Sequence, residues 1–86
     1  MEYYVYALKS KKCNRIYVGM SSNVEKRLIE HNNRRVFSTK GYAPWKIIII
    51  EKVGSRADAR IREKYLKSGS GKEFLKNSDN YSNEGL

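Results

Sequence analysis

Two tyrosines near the N-terminus are the residues whose type and spacing could do chemistry together. Tyr6 lies in the aromatic and β-branched run that starts at Tyr3, and Tyr17 lies in a similar run after a polar break. If these runs form a hairpin that is symmetric about Lys11 and Lys12, the two tyrosines lie opposite each other on one face. A phenol has an ordinary pKa of about 10, which a nearby metal ion or guanidinium lowers. The pair could therefore supply a general base and a second hydroxyl to one site.

An arginine, a histidine and a glutamate could complete such a site. Arg27 lies one helical turn after Asn23 and one turn before His31, so the three share a face of the predicted helix. The planar fork of Arg27 suits two phosphate oxygens, whereas His31 could transfer a proton, contact phosphate or pack at the helix end. Glu63 is a carboxylate in a basic stretch and could hold one Mg²⁺ or Mn²⁺, with water and phosphate at the remaining positions. It could equally be an i,i+4 partner of Lys67.

The first predicted elements are a hairpin and a helix, which would position Tyr6, Tyr17 and Arg27. The strands are expected at Tyr3–Leu8 and Arg15–Gly19, because both segments are rich in aromatic and β-branched residues. Ser22 and Glu25 have the S-x-x-E spacing of a capping box, so a helix should begin there and continue to about residue 32.

The second half of the chain is predicted to contain a strand and two helices. Trp45–Val53 is the strongest strand, and its four successive isoleucines suit a central strand that is covered on both faces. Ser55 and Asp58 again have capping-box spacing, which predicts a helix to about residue 67. After a break at 68–71, a short helix is expected at 72–76. The order is ββαβα plus a short terminal helix, an α+β fold with a small three-stranded antiparallel sheet.

One domain is expected at 1–76, followed by a disordered tail at 77–86. The tail has too little apolar surface to offset the entropy of ordering it. An 86-residue chain is too short for a second folded domain.

The composition narrows the class of partner. Eighteen Lys and Arg against nine Asp and Glu give a net charge of +9, which favours an anionic partner and nucleic acid above others. The longest apolar run, Ile47–Ile50, is far shorter than the roughly 20 residues that cross a bilayer, and no signal sequence follows Met1. We therefore expect a soluble cytoplasmic protein with no membrane partner. Cys13 and His31 are the only cysteine and histidine, which excludes an intrachain disulfide and a Cys/His zinc site.

A nucleotide-triphosphate site is also not expected. The segment 68–72 is rich in glycine and serine and ends in a lysine, as a phosphate-binding loop does. However, Leu66 stands where the G-x-x-x-x-G-K-[ST] motif needs its first glycine, and Glu73 stands where it needs Ser or Thr.

Several motifs follow one another along the chain: Tyr4-Val5-Tyr6, Tyr17-Val18-Gly19, the capped helix with Arg27 and His31, Ser38-Thr39-Lys40-Gly41, Pro44-Trp45-Lys46 and Arg62–Lys67. Taken together and in this order, they resemble the GIY-YIG nuclease family. The resemblance covers most of residues 3–76, and it is strongest to the short bacterial-type members that consist of the nuclease domain alone. Two positions differ: Tyr4 replaces the glycine of the family's first triplet, and Met20 stands where some relatives have a lysine.

The resemblance implies a metal-dependent endonuclease. By position, Tyr6 and Tyr17 match the tyrosines of the two triplets, Arg27 matches the helix arginine and Glu63 matches the metal-binding glutamate. His31 falls where members carry His or Tyr. In this interpretation Tyr17 is the general base, Tyr6 positions or polarises the water, Arg27 stabilises the transition state, and Glu63 binds a single Mg²⁺ or Mn²⁺. The family's asparagine near the end of the domain has Asn77 as its nearest candidate.

The expected substrate is DNA, in repair or recombination. Branched, nicked, single-stranded and duplex forms stay open, and so does the oligomeric state. The candidate contacts to the nucleic-acid backbone are Lys40, Lys46, Arg34, Arg35, Lys67 and Lys72. One alternative is a non-catalytic DNA- or RNA-binding module that retains the fold, and another is a basic accessory protein of ribosomes or nucleoids.

Overall fold

The structure, a computed structural model, describes the backbone of residues 2–84 and the side chains of residues 2–77. Three strands and three helices follow one another in the predicted order. They are β1 (Tyr3–Ser10), β2 (Ile16–Ser21), α1 (Val24–Asn32), β3 (Trp45–Val53), α2 (Arg56–Leu66) and α3 (Gly69–Glu84), with a 3₁₀ turn at Lys40–Tyr42. The α+β class and the three-stranded antiparallel sheet flanked by helices are confirmed. No helix within the described backbone is both long and apolar enough to span a bilayer.

The strand order is β2-β1-β3, so the prediction that Trp45–Val53 is the central strand is wrong. The edge strand β3 also contains a β-bulge: Ala7 pairs with Ile49 and Leu8 pairs with Ile47, which leaves Ile48 as an extra residue. Because of the bulge, Ile48 and Ile49 both pack on the same face of the sheet. The isoleucine run therefore reflects an irregular edge strand, and Ile50 remains 49% exposed.

The hairpin register differs from the predicted symmetry by two residues. Tyr6 pairs with Gly19, and Leu8 pairs with Tyr17, so the two tyrosines lie diagonally rather than directly opposite. The turn is displaced because the Ser10 hydroxyl accepts hydrogen bonds from the Lys12 and Cys13 amides, at 3.0 and 3.3 Å. Since side chains alternate with a period of two, a shift of two keeps Tyr6 and Tyr17 on one face.

Helices α1 and α2 each begin after a capping residue. Asn23, not Ser22, caps α1: its Oδ1 accepts a hydrogen bond of 3.1 Å from the amide of Lys26. The capping box predicted at Ser22 and Glu25 is therefore wrong by one residue. Ser55 caps α2 as predicted, with its hydroxyl 3.1 Å from the amide of Asp58.

Each face of the sheet has its own apolar cluster. On one face, α1 and the segment that follows it pack on the sheet, and the buried cluster there consists of Tyr6, Leu8, Val24, Ala43 and Trp45. On the other face, α2 and α3 pack on the sheet, and the buried cluster there consists of Val5, Ala7, Val18, Ile48, Ala59, Leu66 and Leu75. The alternation along β1, with Tyr6 and Leu8 on one face and Val5 and Ala7 on the other, makes it the buried central strand.

The junction between α2 and α3 is tight. The Ser68 hydroxyl accepts a hydrogen bond of 3.2 Å from the amide of Gly71, and a Cβ at Gly71 would overlap the carbonyl oxygen of Tyr65 and the backbone of Leu66. Beyond the junction, α3 continues past residue 76, where we expected the chain to fray, and it ends at Glu84. Neither glycine nor proline interrupts residues 72–84, so the backbone can remain helical. Gly85 and Leu86, the end of the predicted tail, lie outside the described residues.

Candidate active site

Tyr6 and Tyr17 lie side by side on the α1 face of the sheet, with their ring centroids 6.3 Å apart. Gly19 leaves the space that this arrangement needs. A Cβ at Gly19 would lie 2.7 Å from the Tyr6 hydroxyl oxygen and 2.9 Å from a ring carbon of Tyr17. The glycine of the second triplet is therefore a packing requirement of the tyrosine pair.

The two tyrosines differ in their access to solvent. Tyr6 is 1% exposed, whereas Tyr17 is only partly buried and lines an open cleft at the edge of the sheet. A substrate could therefore reach the hydroxyl of Tyr17 more directly than that of Tyr6.

A chain of hydrogen bonds starts at the buried hydroxyl of Tyr6. It lies 3.2 Å from Nε2 of His31, and Nδ1 of His31 lies 2.8 Å from the Thr39 hydroxyl oxygen. The Thr39 hydroxyl donates to the carbonyl oxygen of Val36 at 3.4 Å. This assignment makes Thr39 the acceptor from His31 Nδ1–H, so Nε2 carries no proton and accepts from Tyr6.

Trp45 holds the loop that carries Thr39. The indole Nε1 donates to the Thr39 carbonyl oxygen at 3.1 Å, while the backbone amide of Trp45 donates to Oδ1 of Asn32 at 2.5 Å. These bonds fasten the segment between α1 and β3 at both ends. As a result Thr39 is 1% exposed, although its segment reads as a polar surface loop.

Burial sets the protonation states of Tyr6 and His31. It lowers the pKa of His31 below the usual 6.5, and the nearby Arg27 charge lowers it further, so the imidazole is neutral at pH 7. Burial raises the pKa of Tyr6 above 10, and the neighbouring Tyr17 adds to this, while a hydrogen bond with Arg27 opposes it. Tyr6 is therefore a neutral phenol that donates its proton to His31.

Arg27 places a permanent positive charge beside Tyr6. Burial tends to lower the pKa of this guanidinium, but hydrogen bonds with Tyr6 and Glu30 raise it above its usual value. Nη1 lies 2.9 Å from Oε1 of Glu30, and about a third of the Arg27 side chain stays exposed. The guanidinium thus connects the buried phenol with the solvent-facing side of the site.

Glu63 lies on α2, on the other side of the sheet from α1. Among the described residues it contacts Arg60 and Lys67 of its own helix rather than the tyrosines, with Lys67 Nζ 3.6 Å from Oε2. The i,i+4 partnership considered in the sequence is therefore present. Its side chain is 16% exposed, and its negative charge adds to burial in raising the pKa of Tyr6. Glu63 is thus near enough to Tyr6 for its charge to act on the phenol.

The donor set for a divalent ion is a single carboxylate. Within the described part of the chain, no three His, Cys, Asp or Glu side chains are grouped so that they could hold a metal. Mg²⁺ commonly binds through one or two carboxylates with water and phosphate oxygens, so Glu63 fits this requirement only when the other oxygens come from solvent and substrate.

Met20 and Asn77, the two uncertain positions of the motif comparison, lie away from the tyrosine pair. The Met20 side chain packs against the apolar cluster under α2 and α3, on the opposite face from Tyr6 and Tyr17. Asn77 is exposed on α3. Neither side chain joins the hydrogen-bond chain of Tyr6, His31 and Thr39.

The six candidate backbone-contact residues lie in three parts of the structure. Arg34 and Arg35 are exposed in the turn after α1, where Arg34 has a φ of 60°, and the Lys40 ammonium lies 4.7 Å from the ring centroid of Phe37. Lys46 lines a depression formed with the hairpin loop. Lys67 and Lys72 line the same cleft as Tyr17.

Sequence reasoning missed Thr39 as a functional residue. In the sequence, Thr39 is only one residue of the motif Ser38–Gly41, and no role was predicted for its hydroxyl. A single threonine within a polar segment carries no sequence signal for burial, and only the fold brings it to His31.

Comparison with known proteins agrees with this fold. Residues 2–77 match the sequence model of the GIY-YIG catalytic domain, and the chain belongs to the GIY-YIG family. The resemblance inferred from the motifs is thereby confirmed.

Its relatives include small proteins named UPF0213. The chain is 38% identical to one from Clostridium perfringens over 74% of its length and 69% of that protein. It is 34% identical to one from Staphylococcus haemolyticus, over 87% of its length and 92% of the relative. The solution NMR structure of a UPF0213 protein from Bacillus halodurans is similar, with a TM-score of 0.54 and 28% identity over 90% of this chain and 84% of that one.

Proposed function

We propose that the protein is an endonuclease that hydrolyses phosphodiester bonds of DNA with the help of a divalent metal ion. The observation that carries the proposal is the asymmetry of the tyrosine pair. Tyr6 is buried and neutral, and its hydroxyl is hydrogen bonded to His31, while its neighbour Tyr17 lines an open cleft. One phenol is thus fixed as a hydrogen-bonding group, and the other is placed to exchange a proton with a bound water.

Tyr17 acts as the general base. In its deprotonated form, Tyr17 would take a proton from the attacking water while that water forms a bond to phosphorus and the bond to the leaving oxygen breaks, and the leaving oxygen would then take a proton from solvent. Tyr6 is unsuited to this step, because burial raises its pKa and its proton is donated to His31. Tyr6 instead positions the water and keeps Arg27 and His31 in place.

Arg27 stabilises the charge that develops on the phosphate. One nitrogen of its guanidinium binds Glu30, and the group also hydrogen bonds with Tyr6, so its orientation is set from two sides. The exposed third of the side chain can meet two phosphate oxygens with its planar fork. A pre-oriented cation needs little rearrangement when the transition state forms.

Glu63 would hold the metal ion. A bound Mg²⁺ or Mn²⁺ supplies Lewis-acid stabilisation of charge on the phosphate and the leaving oxygen. Glu63 lies next to the reaction region: its Oε2 is 3.6 Å from Nζ of Lys67, a residue that lines the Tyr17 cleft, and its charge acts on Tyr6. One carboxylate next to two cations is a weak site, so we expect the metal to bind well only when DNA is present.

Cleavage assays with matched variants test the proposal. Labelled duplex, nicked, flap and junction DNA are incubated with the protein in Mg²⁺, Mn²⁺ or EDTA. Glu63→Gln should abolish the metal-dependent products. Glu73→Gln is the control with the same change of charge, since Glu73 is an exposed residue of α3 that pairs with Lys76 at 3.8 Å. Absence of cleavage from every substrate, or equal cleavage by Glu63→Gln, contradicts the proposal.

A binding module without turnover is the second candidate, and Met20 favours it. An apolar side chain occupies the position after the second triplet and is packed into the core, so no charge reaches the site from there. The +9 net charge would still give nucleic-acid binding that weakens steeply with salt. Salt-sensitive binding with no products in either metal would support this function instead.

A further inference from the structure

A cleft of about 720 Å³ runs along the free edge of β2, and of the candidate site residues above it includes Tyr17, Lys67 and Lys72. Consecutive β2 residues line it: Ile16, Tyr17 and Val18. Because successive strand residues point to opposite faces, a cleft that touches all three must follow the strand edge. Its volume is within the range of about 300–1,000 Å³ that is typical of small-ligand sites.

The charge of the cleft suits a polyanion. Four of its lining residues are cationic, and among the described residues that line it none is acidic; the four are Arg15, Lys67, Lys72 and Lys76. Lys72 and Lys76 are one helical turn apart on α3, so they form a short row along one wall. Lys76 also pairs with Glu73, but at 3.8 Å and with both side chains largely exposed, so phosphate can compete for it.

The floor of the cleft is apolar and aromatic. Ile16, Tyr17 and Tyr42 are partly exposed along it, and the Arg15 guanidinium lies 4.4 Å from the centroid of the Tyr42 ring. The buried Leu66 and Leu75 lie beneath them. Phosphate alone would gain nothing from this surface, whereas a nucleobase has a flat face that stacks on aromatic and apolar groups. A base inside an intact duplex is covered by its neighbours and is not available to such a floor.

We propose that this cleft is a binding site for an unpaired nucleotide, which places its base on the apolar floor and its phosphates along Lys72 and Lys76. The proposal rests on the proposed function for the identity of the polymer, and it makes that function more specific. Because Tyr17 lines the same cleft, the seated nucleotide adjoins the bond to be cut. DNA with a single-stranded segment is thus the favoured substrate class over blunt duplex.

An acidic peptide that pairs with the free edge of β2 is the competing occupant. Such a peptide would use the backbone of β2 and the same cations. A peptide would not need the aromatic floor, and it would leave Tyr17 without a reacting partner. A nucleotide therefore explains more of the residues that line the cleft than a peptide does.

Binding in EDTA tests the proposal without any cleavage. The probes are a fluorescein-labelled blunt DNA hairpin and the same hairpin with a ten-nucleotide arm at its 3′ or its 5′ end. A third version has an abasic arm with the same phosphates and no bases. We expect the parent to bind one of the arm-bearing hairpins about tenfold more tightly than the blunt one, and the abasic arm to lose most of that gain.

Two double variants with the same charge change locate the effect. Lys72→Ala/Lys76→Ala removes the cationic row, and Arg56→Ala/Lys64→Ala removes two exposed cations of α2 that do not line the cleft. The first should abolish the preference for the arm and reduce the salt slope of single-strand binding by about 1.4, since each phosphate contact contributes about 0.7. The second should retain the preference.

Several results would overturn the proposal. These are equal affinity of the parent for blunt and arm-bearing hairpins, full affinity for the abasic arm, equal losses in the two double variants, or tighter binding of poly-glutamate than of the arm. The proposed function fails separately. Arm-selective binding with no products in Mg²⁺ or Mn²⁺ contradicts hydrolysis and leaves the nucleotide site standing, whereas cleavage without arm selectivity contradicts the nucleotide site alone.

Discussion

Gly19 and Tyr6 are partners across the β1–β2 pair, and the space that a side chain at Gly19 would occupy is filled by the Tyr6 hydroxyl. The same space is bounded by the ring of Tyr17. Three residues of the two triplets therefore form one packing unit, in which the glycine brings the two phenols together. The unit explains why a glycine is needed at this position even though its backbone has no positive φ.

We expect Gly19→Ala to destabilise the fold and displace the tyrosines. A Cβ 2.7 Å from the Tyr6 oxygen forces a buried side chain to move, and overpacking of this kind costs about 1–3 kcal/mol. Urea denaturation measures the free energy of unfolding. Gly54→Ala is the control, because a Cβ there meets nothing within 4 Å. Equal stability of the two variants would show that the tyrosine pair tolerates a side chain at Gly19.

Thr39→Val should leave a buried donor without its acceptor. The variant keeps the shape of the side chain but removes the hydroxyl that lies 2.8 Å from His31 Nδ1, and an unsatisfied buried group costs about 1–3 kcal/mol. Thr39→Ser retains the hydroxyl and should restore most of the stability. Nitrogen NMR shifts of His31 should report the Nδ1–H tautomer in the parent and in Thr39→Ser. The Nε2–H tautomer in the parent would contradict the assigned hydrogen-bond chain.

The lowered pKa of His31 predicts a loss of stability in mild acid. The folded protein resists protonation of the buried imidazole, whereas the unfolded chain binds a proton near its usual pKa of about 6.5. As the pH falls through that value, the unfolded state is favoured, with a limiting slope of about 1.4 kcal/mol per pH unit for one proton. The slope ends once the pH falls through the folded-state pKa. Above pH 7.5 this group should contribute no pH dependence.

Unfolding free energies between pH 5 and pH 8 check this expectation. His31→Phe removes the titrating group and should flatten the profile in that range, whatever its effect on absolute stability. Arg27, the charged neighbour that lowers the pKa of His31, keeps its charge over the same range because its own pKa is raised. A parent profile that is flat from pH 8 to pH 5 would mean that His31 becomes protonated as readily in the folded state.

How far the sequence could predict the site depends on which side chains are fixed by local pattern. Tyr6 and Tyr17 were placed on one face despite a register error, because an even shift conserves the face. Helical spacing placed Arg27 and His31 on one face of α1, and the family resemblance marked them as site residues. Thr39 could not be predicted, since its burial depends on the Trp45 indole, which binds its carbonyl oxygen across a loop.

The errors in the fold have a similar origin. The central position assigned to β3 came from a run of isoleucines, and hydrophobicity alone does not distinguish a two-sided strand from one with a bulge. The helix start at Ser22 came from spacing, but Asn23 had an equally suitable side chain one residue later. In both cases the type of element was predicted correctly, and its position in the sheet or its first residue was not.

Tyr17→Phe should remove catalysis without removing the fold. The variant loses only the hydroxyl of a partly buried residue that lines the cleft, so stability should change little, while loss of a general base lowers the rate by about 10²- to 10⁴-fold. Single-turnover cleavage of the preferred substrate measures the chemical step. Tyr65→Phe, on the exposed side of α2, is the matched control and should cleave like the parent.

Tyr6→Phe separates the roles of the two phenols. It removes the hydroxyl that binds His31 and Arg27, so it should lower both the rate and the free energy of unfolding. Tyr17→Phe should lower the rate alone. If Tyr17→Phe cleaves at the parent's rate while Tyr6→Phe is inactive, the base is not Tyr17, and proton removal must be assigned to the buried Tyr6–His31 pair instead.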